Sequence, residues 1–108
     1  MALNHARPGE VVPLLDGLEG VTSDRTSALV KSDRFEAVRL VMPAGTSIAP
    51  HRVDGFITLL CLEGEVRLVA DAERELRPGD WLYLERGASH GLHARADSIL
   101  LLHILFDR

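Results

Sequence analysis

The residue types that could do chemistry in this 108-residue chain are five histidines and a single cysteine. Imidazole is the commonest metal ligand in proteins, and because it titrates near neutral pH it can also act as a general base. Two histidines, His51 and His90, each follow a glycine-containing turn, after Gly45 and Gly87. His93 lies three residues after His90, so on a strand it faces the opposite way and is discounted as a co-ligand.

Short segments rich in Val, Ile, Leu and Thr alternate with Gly- and Pro-containing turns, a pattern typical of an all-β sandwich or barrel. Residues 1–25 are expected to form an N-terminal arm, with one short helical turn within 16–25. Residues 26–108 are expected to form one barrel domain. The predicted strands are 26–31, 35–42, 57–62, 65–70, 73–76, 81–84, 90–94 and 98–106.

Two predicted strands, 57–62 and 98–106, lack the alternation of apolar and polar residues that a sheet with one wet face shows. Their outer faces must therefore be covered by the N-terminal segment or by a second subunit. Homodimerisation is the economical explanation for a chain of this size.

Two stretches of the chain resemble the paired sequence motifs of the cupins. The first begins Pro-Ala-Gly-Thr-Ser-Ile-Ala-Pro-His at Pro43 and ends with Glu-Gly-Glu-Val at Val66, and the second runs from Leu76 to His90. The resemblance implies an RmlC-like jelly roll, the double-stranded β-helix of cupins, over roughly residues 26–106. Because cupins include dioxygenases, isomerases, epimerases, decarboxylases, sugar-binding regulators and storage proteins, the resemblance does not identify a reaction. The chain looks most like small bacterial cupins of unassigned activity.

The resemblance also implies a metal site of three histidines and one glutamate inside the barrel, and this sequence departs from it. His51 and His90 occupy the first and last ligand positions, whereas Val53 and Ile57 stand at the other two. A catalytic zinc or iron site generally needs three protein ligands, so His51 and His90 alone would hold a metal weakly.

A third ligand could come from His103, Cys61 or Asp54. Asp54 lies beside His51, and His103 is the polar residue of the last apolar strand, where burial requires a partner. We favour a hydrogen-bonded core or interface role for His103 and ordinary packing for Cys61. The residues expected to line the pocket are Val53, Ile57, Leu59, Cys61 and His103.

Three functions remain open from the sequence. The first is an interior pocket that binds one divalent ion (Zn, Fe, Mn, Ni or Cu) weakly, a small and partly apolar ligand, or both. The second is an enzyme, either a metal-dependent dioxygenase or isomerase using His51, His90 and a third ligand, or a metal-free one with a histidine base. The third is a non-catalytic dimer with a vestigial pocket.

Composition narrows the expected partners and location. The formal net charge of −4 disfavours nucleic acids and anionic membranes, which recruit an excess of Lys and Arg. The single cysteine cannot form an internal disulfide, and the first ten residues contain no apolar run of the signal-peptide type. We therefore expect a cytoplasmic protein whose partners are a second copy of itself and an unidentified small molecule.

Overall fold

The computed structural model describes residues 5–15 and 26–106, and the second range contains nine β-strands. Their bounds are Ser27–Lys31 (β1), Phe35–Met42 (β2), Ser47–His51 (β3), Gly55–Glu63 (β4), Val66–Val69 (β5), Glu73–Leu76 (β6), Trp81–Leu84 (β7), His90–Ala94 (β8) and Ser98–Phe106 (β9). Eight of these strands were predicted from the sequence, with differences of up to two residues at some ends. The helical turn expected within 16–25 lies outside the described residues.

The strands form two antiparallel sheets with their inner faces packed together. The five-stranded sheet has the order β1-β2-β9-β4-β7, and the four-stranded sheet has the order β3-β8-β5-β6. The described residues contain no helix, so none could form a membrane-spanning one. The all-β jelly-roll prediction is therefore confirmed.

Alternation along the strands builds the core between the sheets. In β4, the side chains of Ile57, Leu59 and Cys61 are buried, whereas the two between them are half-buried. Val66 and Leu68 of β5 complete the same core from the opposite sheet. Because side chains on a strand alternate between faces, β4 and β5 contribute every second residue to this core.

The strand β3 was not predicted, because it contains Pro50. Proline lacks the backbone N–H that a sheet ladder uses, so a proline inside a segment argues against a central strand. In the structure β3 is an edge strand and pairs only with β8 within its sheet. The pairing is also irregular between Ile48 and His51, where the proline lies.

The N-terminal segment 5–15 lies against one flank of the five-stranded sheet. The Ala6 N–H donates to the carbonyl oxygen of Leu29 in β1 at 2.7 Å. The buried Arg39 of β2 donates from Nε to the Leu14 carbonyl oxygen at 2.8 Å. Residues of the predicted arm therefore contact β1 and β2.

A glycine allows the turn after β4 to approach β9 closely. Gly64 has a φ of 89°, and a Cβ atom there would overlap Ser98 and the carbonyl oxygen of Asp97. The buried Ser98 hydroxyl accepts a hydrogen bond from the Glu65 N–H and lies 2.7 Å from the Ala96 carbonyl oxygen. A side chain at position 64 would disturb this buried polar contact.

Candidate functional site

His51 and His90 face each other across two paired strands. His51 ends β3, His90 begins β8, and the two are partners in the antiparallel register. Directly opposed residues of an antiparallel pair place their side chains on the same face. The two imidazole rings accordingly lie with their centroids 4.5 Å apart and their planes tilted by 51°.

Backbone carbonyl groups hold both imidazole rings. Nδ1 of His51 lies 3.1 Å from the carbonyl oxygen of Ala49, and Nδ1 of His90 lies 3.1 Å from that of Ala88. Since a carbonyl oxygen can only accept, Nδ1 carries the hydrogen in each ring. In the neutral form the lone pair is then on Nε2, which can accept a hydrogen bond or bind a metal ion.

The two histidines differ in their exposure to solvent. His90 is 4% exposed, whereas His51 is open to solvent. Burial lowers the pKa of His90; the Ala88 carbonyl opposes this shift and neighbouring His51 adds to it. The neutral form of His90 is therefore favoured, and its Nε2 remains an acceptor near neutral pH.

The two rings form the polar end of a small cavity between the sheets. The cavity has a volume of about 150 Å³. Within the described part of the chain, every other lining residue is aliphatic. The lining consists of Leu40, Ile48, His51, Val53, Ile57, Leu59, His90, Leu92, Leu102 and Ile104.

Three of the five residues predicted to line the pocket do so, namely Val53, Ile57 and Leu59. Cys61 is instead fully buried in the core, and its thiol lies 3.4 Å from the Glu63 carbonyl oxygen. Burial raises the pKa of this thiol, and the Asp80 carboxylate adds to the increase. Cys61 shares the inward face of β4 but lies beyond the cavity, which corrects its assignment to the lining.

His103 is the other residue assigned to the pocket that the structure places elsewhere. Leu102 and Ile104 line the cavity, so His103 between them points to the outer face of β9. There its Nδ1 lies 3.2 Å from the Thr58 hydroxyl. From the sequence, His103 was assigned to the pocket as the polar residue of an apolar strand. Because side chains alternate along β9, a residue between two that line the cavity lies on the opposite face of the strand.

The structure brings none of the three candidate third ligands to His51 and His90. Asp54 is exposed in the loop after β3, while Cys61 and His103 lie away from the cavity. Over residues 5–15 and 26–106, no group of three or more His, Cys, Asp or Glu side chains is arranged to hold a metal ion. His93 is on the opposite face of β8 from His90, and its Nδ1 lies 2.7 Å from the Ser47 hydroxyl. The described residues therefore do not fit a three-ligand metal site.

Half of the cavity lining was missed by the sequence analysis. Leu40, Leu102 and Ile104 could have been predicted, because each lies on the face of its strand that points to the core. Leu92 shares the parity of His90 in β8 and is similarly predictable. Ile48 could not have been predicted, because it belongs to β3, which contains Pro50 and was not predicted to be a strand.

The two sheets and the two-histidine cavity define a small β-barrel with an interior site. Residues 38–106 match the family model of the cupin domain. The match spans more than half of the chain, which therefore belongs to the cupin family. A search of curated proteins found none that matches this sequence.

Solved structures share the fold at low sequence identity. A cupin superfamily protein from Desulfitobacterium hafniense DCB-2 is 23% identical over 99% of this chain and 100% of its own, with a TM-score of 0.81. A conserved protein of unknown function from Streptococcus pyogenes is 18% identical, covering 100% and 97%, with a TM-score of 0.80. The DMSP lyase DddQ from Ruegeria pomeroyi is 22% identical over 77% of this chain and 46% of its own, with a TM-score of 0.68. At these identities the similarity establishes the fold alone.

Proposed function

We propose that the cavity binds a small, largely apolar molecule that carries one hydrogen-bond donor. The observation that carries this proposal is the composition of the lining: aliphatic side chains surround two imidazoles whose Nδ1 atoms are held by backbone carbonyls. Ligand sites commonly combine an apolar wall with a few polar groups that fix the orientation of the ligand.

The polar end of the site favours a donor over an acceptor. With Nδ1 committed to Ala49 or Ala88, each neutral ring offers only the Nε2 lone pair to a ligand. Burial lowers the pKa of His90, which keeps this acceptor available at neutral pH. A hydroxyl or N–H group therefore complements the site better than a carbonyl group.

The volume of the cavity limits the size of the ligand. A volume of about 150 Å³ matches a dry engineered cavity of roughly 150 Å³ that holds benzene. Drug-sized ligands generally occupy about 300–1,000 Å³. The best match is thus a molecule with a ring or a short branched chain, such as a phenol or a small alcohol.

Calorimetric titration with phenol, and with benzene as the probe that lacks a donor, tests this proposal. We expect wild-type protein to bind phenol more tightly than benzene. His90→Leu should reduce phenol affinity about tenfold, the order expected for one lost hydrogen bond of about 1–1.5 kcal/mol. His93→Leu is the matched control, because His93 lies on the same strand but faces away from the cavity.

Two results would argue against organic-ligand binding. One is the absence of heat or thermal stabilisation with phenols, small alcohols and aromatic amines. The other is an equal loss of affinity in His90→Leu and His93→Leu, which would indicate a general effect of histidine replacement on the fold.

A second candidate is weak binding of a divalent metal ion by His51 and His90, with solvent completing the coordination. The opposed rings with available Nε2 atoms favour it. Zn²⁺ and Ni²⁺ titrations of untagged protein are the test. Binding should weaken in the His51→Ala, His90→Ala double variant and persist in His93→Ala. Equal binding by all three proteins would eliminate the two-histidine site.

A further inference from the structure

We infer that the molecule has a second binding site, at the open edge between the two sheets, which takes a free amino acid in its zwitterionic form. A cleft of about 600 Å³ lies there, with walls from the segments 70–74 and 83–89. We call this space the edge cleft. It shares no lining residue with the histidine cavity, so the inference does not depend on what that cavity binds.

The edge cleft exists because the two sheets do not pair along this side of the barrel. β6 is an edge strand of the four-stranded sheet, and β7 is an edge strand of the five-stranded sheet. Small side chains leave the space between the two edges open, since Ala70 follows β5 and Ala88 precedes β8. Leu84 of β7, which packs against the core, supplies the larger apolar part of the wall.

Arg74 is a cation on the core-facing side of β6. It is the register partner of Leu68 and lies two residues before Leu76, and both leucines are buried. Because opposed residues of an antiparallel pair share a face, Arg74 points into the gap between the sheets. It remains exposed there because the edge cleft is open to solvent.

The charge of Arg74 is not neutralised by an ion pair. The neighbouring carboxylates of Glu73 and Glu75 lie on the outer face of the sheet, where they pair with other arginines. Over residues 5–15 and 26–106, no ion pair involves Arg74. A guanidinium group binds a carboxylate through two parallel hydrogen bonds, so Arg74 is suited to the carboxylate of a ligand.

Two carboxylates in the edge cleft disfavour a ligand that carries only negative charge. Asp71 lies in the turn between β5 and β6, and Glu85 follows β7 on the opposite wall. Neither forms an ion pair within the described part of the chain. Together with Arg74, they complement a ligand that has an ammonium group close to a carboxylate. An α-amino acid carries both groups on one carbon atom.

The apolar part of the edge cleft favours an aromatic amino acid. Tyr83 is 54% exposed, and its ring centroid lies 6.2 Å from that of Trp81. Aromatic rings attract one another at such distances, so a ligand ring can pack against Tyr83 while Leu84 covers its edge. The volume of about 600 Å³ lies within the roughly 300–1,000 Å³ of typical ligand sites. A whole aromatic amino acid therefore fits.

Titration with phenylalanine, followed by tryptophan fluorescence, tests this inference. Trp81 is the single tryptophan and lies beside Tyr83, so a ligand bound at Tyr83 should change its emission. Phenethylamine lacks the carboxylate of phenylalanine, and hydrocinnamate lacks the ammonium group. Wild-type protein should bind phenylalanine about tenfold more tightly than either analogue, because each analogue leaves one charged partner in the cleft unused.

Arg74→Gln should weaken phenylalanine binding about tenfold and leave phenethylamine binding unchanged, because only phenylalanine has the carboxylate. Arg77→Gln is the matched control, since Arg77 directly follows β6 and is exposed but lies outside the edge cleft. His90→Leu should also leave phenylalanine binding unchanged, so this site and the histidine cavity can fail separately.

The double variant Asp71→Asn, Glu85→Gln provides a second test, on the ammonium side of the ligand. It should weaken the binding of phenylalanine and phenethylamine and strengthen that of hydrocinnamate, because it removes two negative charges from the lining.

Three results would overturn the inference. The first is the absence of a saturable change in emission with phenylalanine up to about 10 mM; Arg74 would then only protect the edge of β6 from pairing with another strand. The second is equal affinity for phenylalanine, phenethylamine and hydrocinnamate. The third is an equal loss of phenylalanine binding in Arg74→Gln and Arg77→Gln.

Discussion

Each site histidine uses its Nδ1 for the backbone carbonyl group two residues earlier, and this determines what the pair can do. The arrangement leaves both Nε2 atoms as acceptors at the edge of an aliphatic cavity. The sequence predicted His51 and His90 as a pair, because their motif positions and strand parity could be read directly. Their tautomers could not be predicted, since these depend on where the backbone places the Ala49 and Ala88 carbonyl oxygens.

Cys61 provides a prediction at the residue scale. Its thiol is fully buried and burial raises its pKa, so a thiol reagent at pH 8 should label it far more slowly in folded protein than in urea. A raised folded-state pKa means that the unfolded chain ionises first. The contribution of Cys61 to the free energy of unfolding is therefore complete below the ordinary thiol pKa of 9.0 and declines as the pH rises through the folded-state pKa.

Time courses of labelling at pH 8 measure the accessibility of the thiol. Urea unfolding curves at pH 8 and pH 10 measure the loss of stability at alkaline pH, and Cys61→Ala is the control that removes the contribution of the thiol to that loss. Rapid labelling of folded protein would contradict the burial of the thiol. An alkaline loss of stability that is identical in wild type and Cys61→Ala would show that other groups cause it.

At the scale of elements, the sequence predicts eight of the nine strands but not β3. The predicted strands either alternate apolar with polar residues or lie between clear turns. Because β3 contains Pro50, its sequence is typical of a loop. The strand can pair only because it lies at the edge of the four-stranded sheet. This strand carries Ile48 and His51, so part of the cavity was hidden with it. The pairing of β3 with β8 is a long-range contact that local sequence does not encode.

Two glycines allow a matched test of the close approach between the β4–β5 turn and β9. Gly64 and Gly79 have φ angles of 89° and 93°, but a Cβ would collide with Ser98 and the Asp97 carbonyl only at Gly64. Gly79→Ala should cost about 1 kcal/mol of unfolding free energy for the left-handed backbone alone. Gly64→Ala should cost more, about 3 kcal/mol.

Urea unfolding of both variants measures these costs. Equal destabilisation by the two substitutions would mean that the backbone conformation, and not the contact with Ser98, sets the requirement for glycine at position 64.

At the scale of the whole molecule, the two sheets have different outer surfaces. The outer face of the four-stranded sheet carries ion pairs. The outer face of the five-stranded sheet exposes large hydrophobic side chains such as Phe56 and Leu105, and it receives the N-terminal segment on its β2 flank. From the apolar strands 57–62 and 98–106, the sequence predicts that this face is covered. In the structure the N-terminal segment contacts one flank of it, where Arg39 donates to the Leu14 carbonyl oxygen. Sequence alone could not show how much of this face the N-terminal segment covers, because that depends on the path of residues 5–15.

Removal of residues 1–15 should therefore weaken the fold without abolishing it. The truncated chain loses the Leu14 carbonyl that accepts from Arg39 and the Ala6 hydrogen bond to Leu29. A hydrogen bond from a charged donor contributes about 1.5–3 kcal/mol, so we expect a loss of about 2 kcal/mol in the free energy of unfolding. Thermal and urea unfolding at one fixed protein concentration measure it, and an unchanged midpoint would show that the segment is not a structural part of the barrel.

The central claim, that the cavity at His51 and His90 binds a small molecule, can be tested by NMR of isoleucine δ1 methyl groups. The chain has four isoleucines, and Ile48, Ile57 and Ile104 line the cavity. Ile99 lies at the beginning of β9 outside the cavity and serves as an internal control. Addition of phenol should shift the three cavity methyl resonances in a saturable manner and leave that of Ile99 unchanged, whereas no shift, or equal shifts at all four, would contradict the claim.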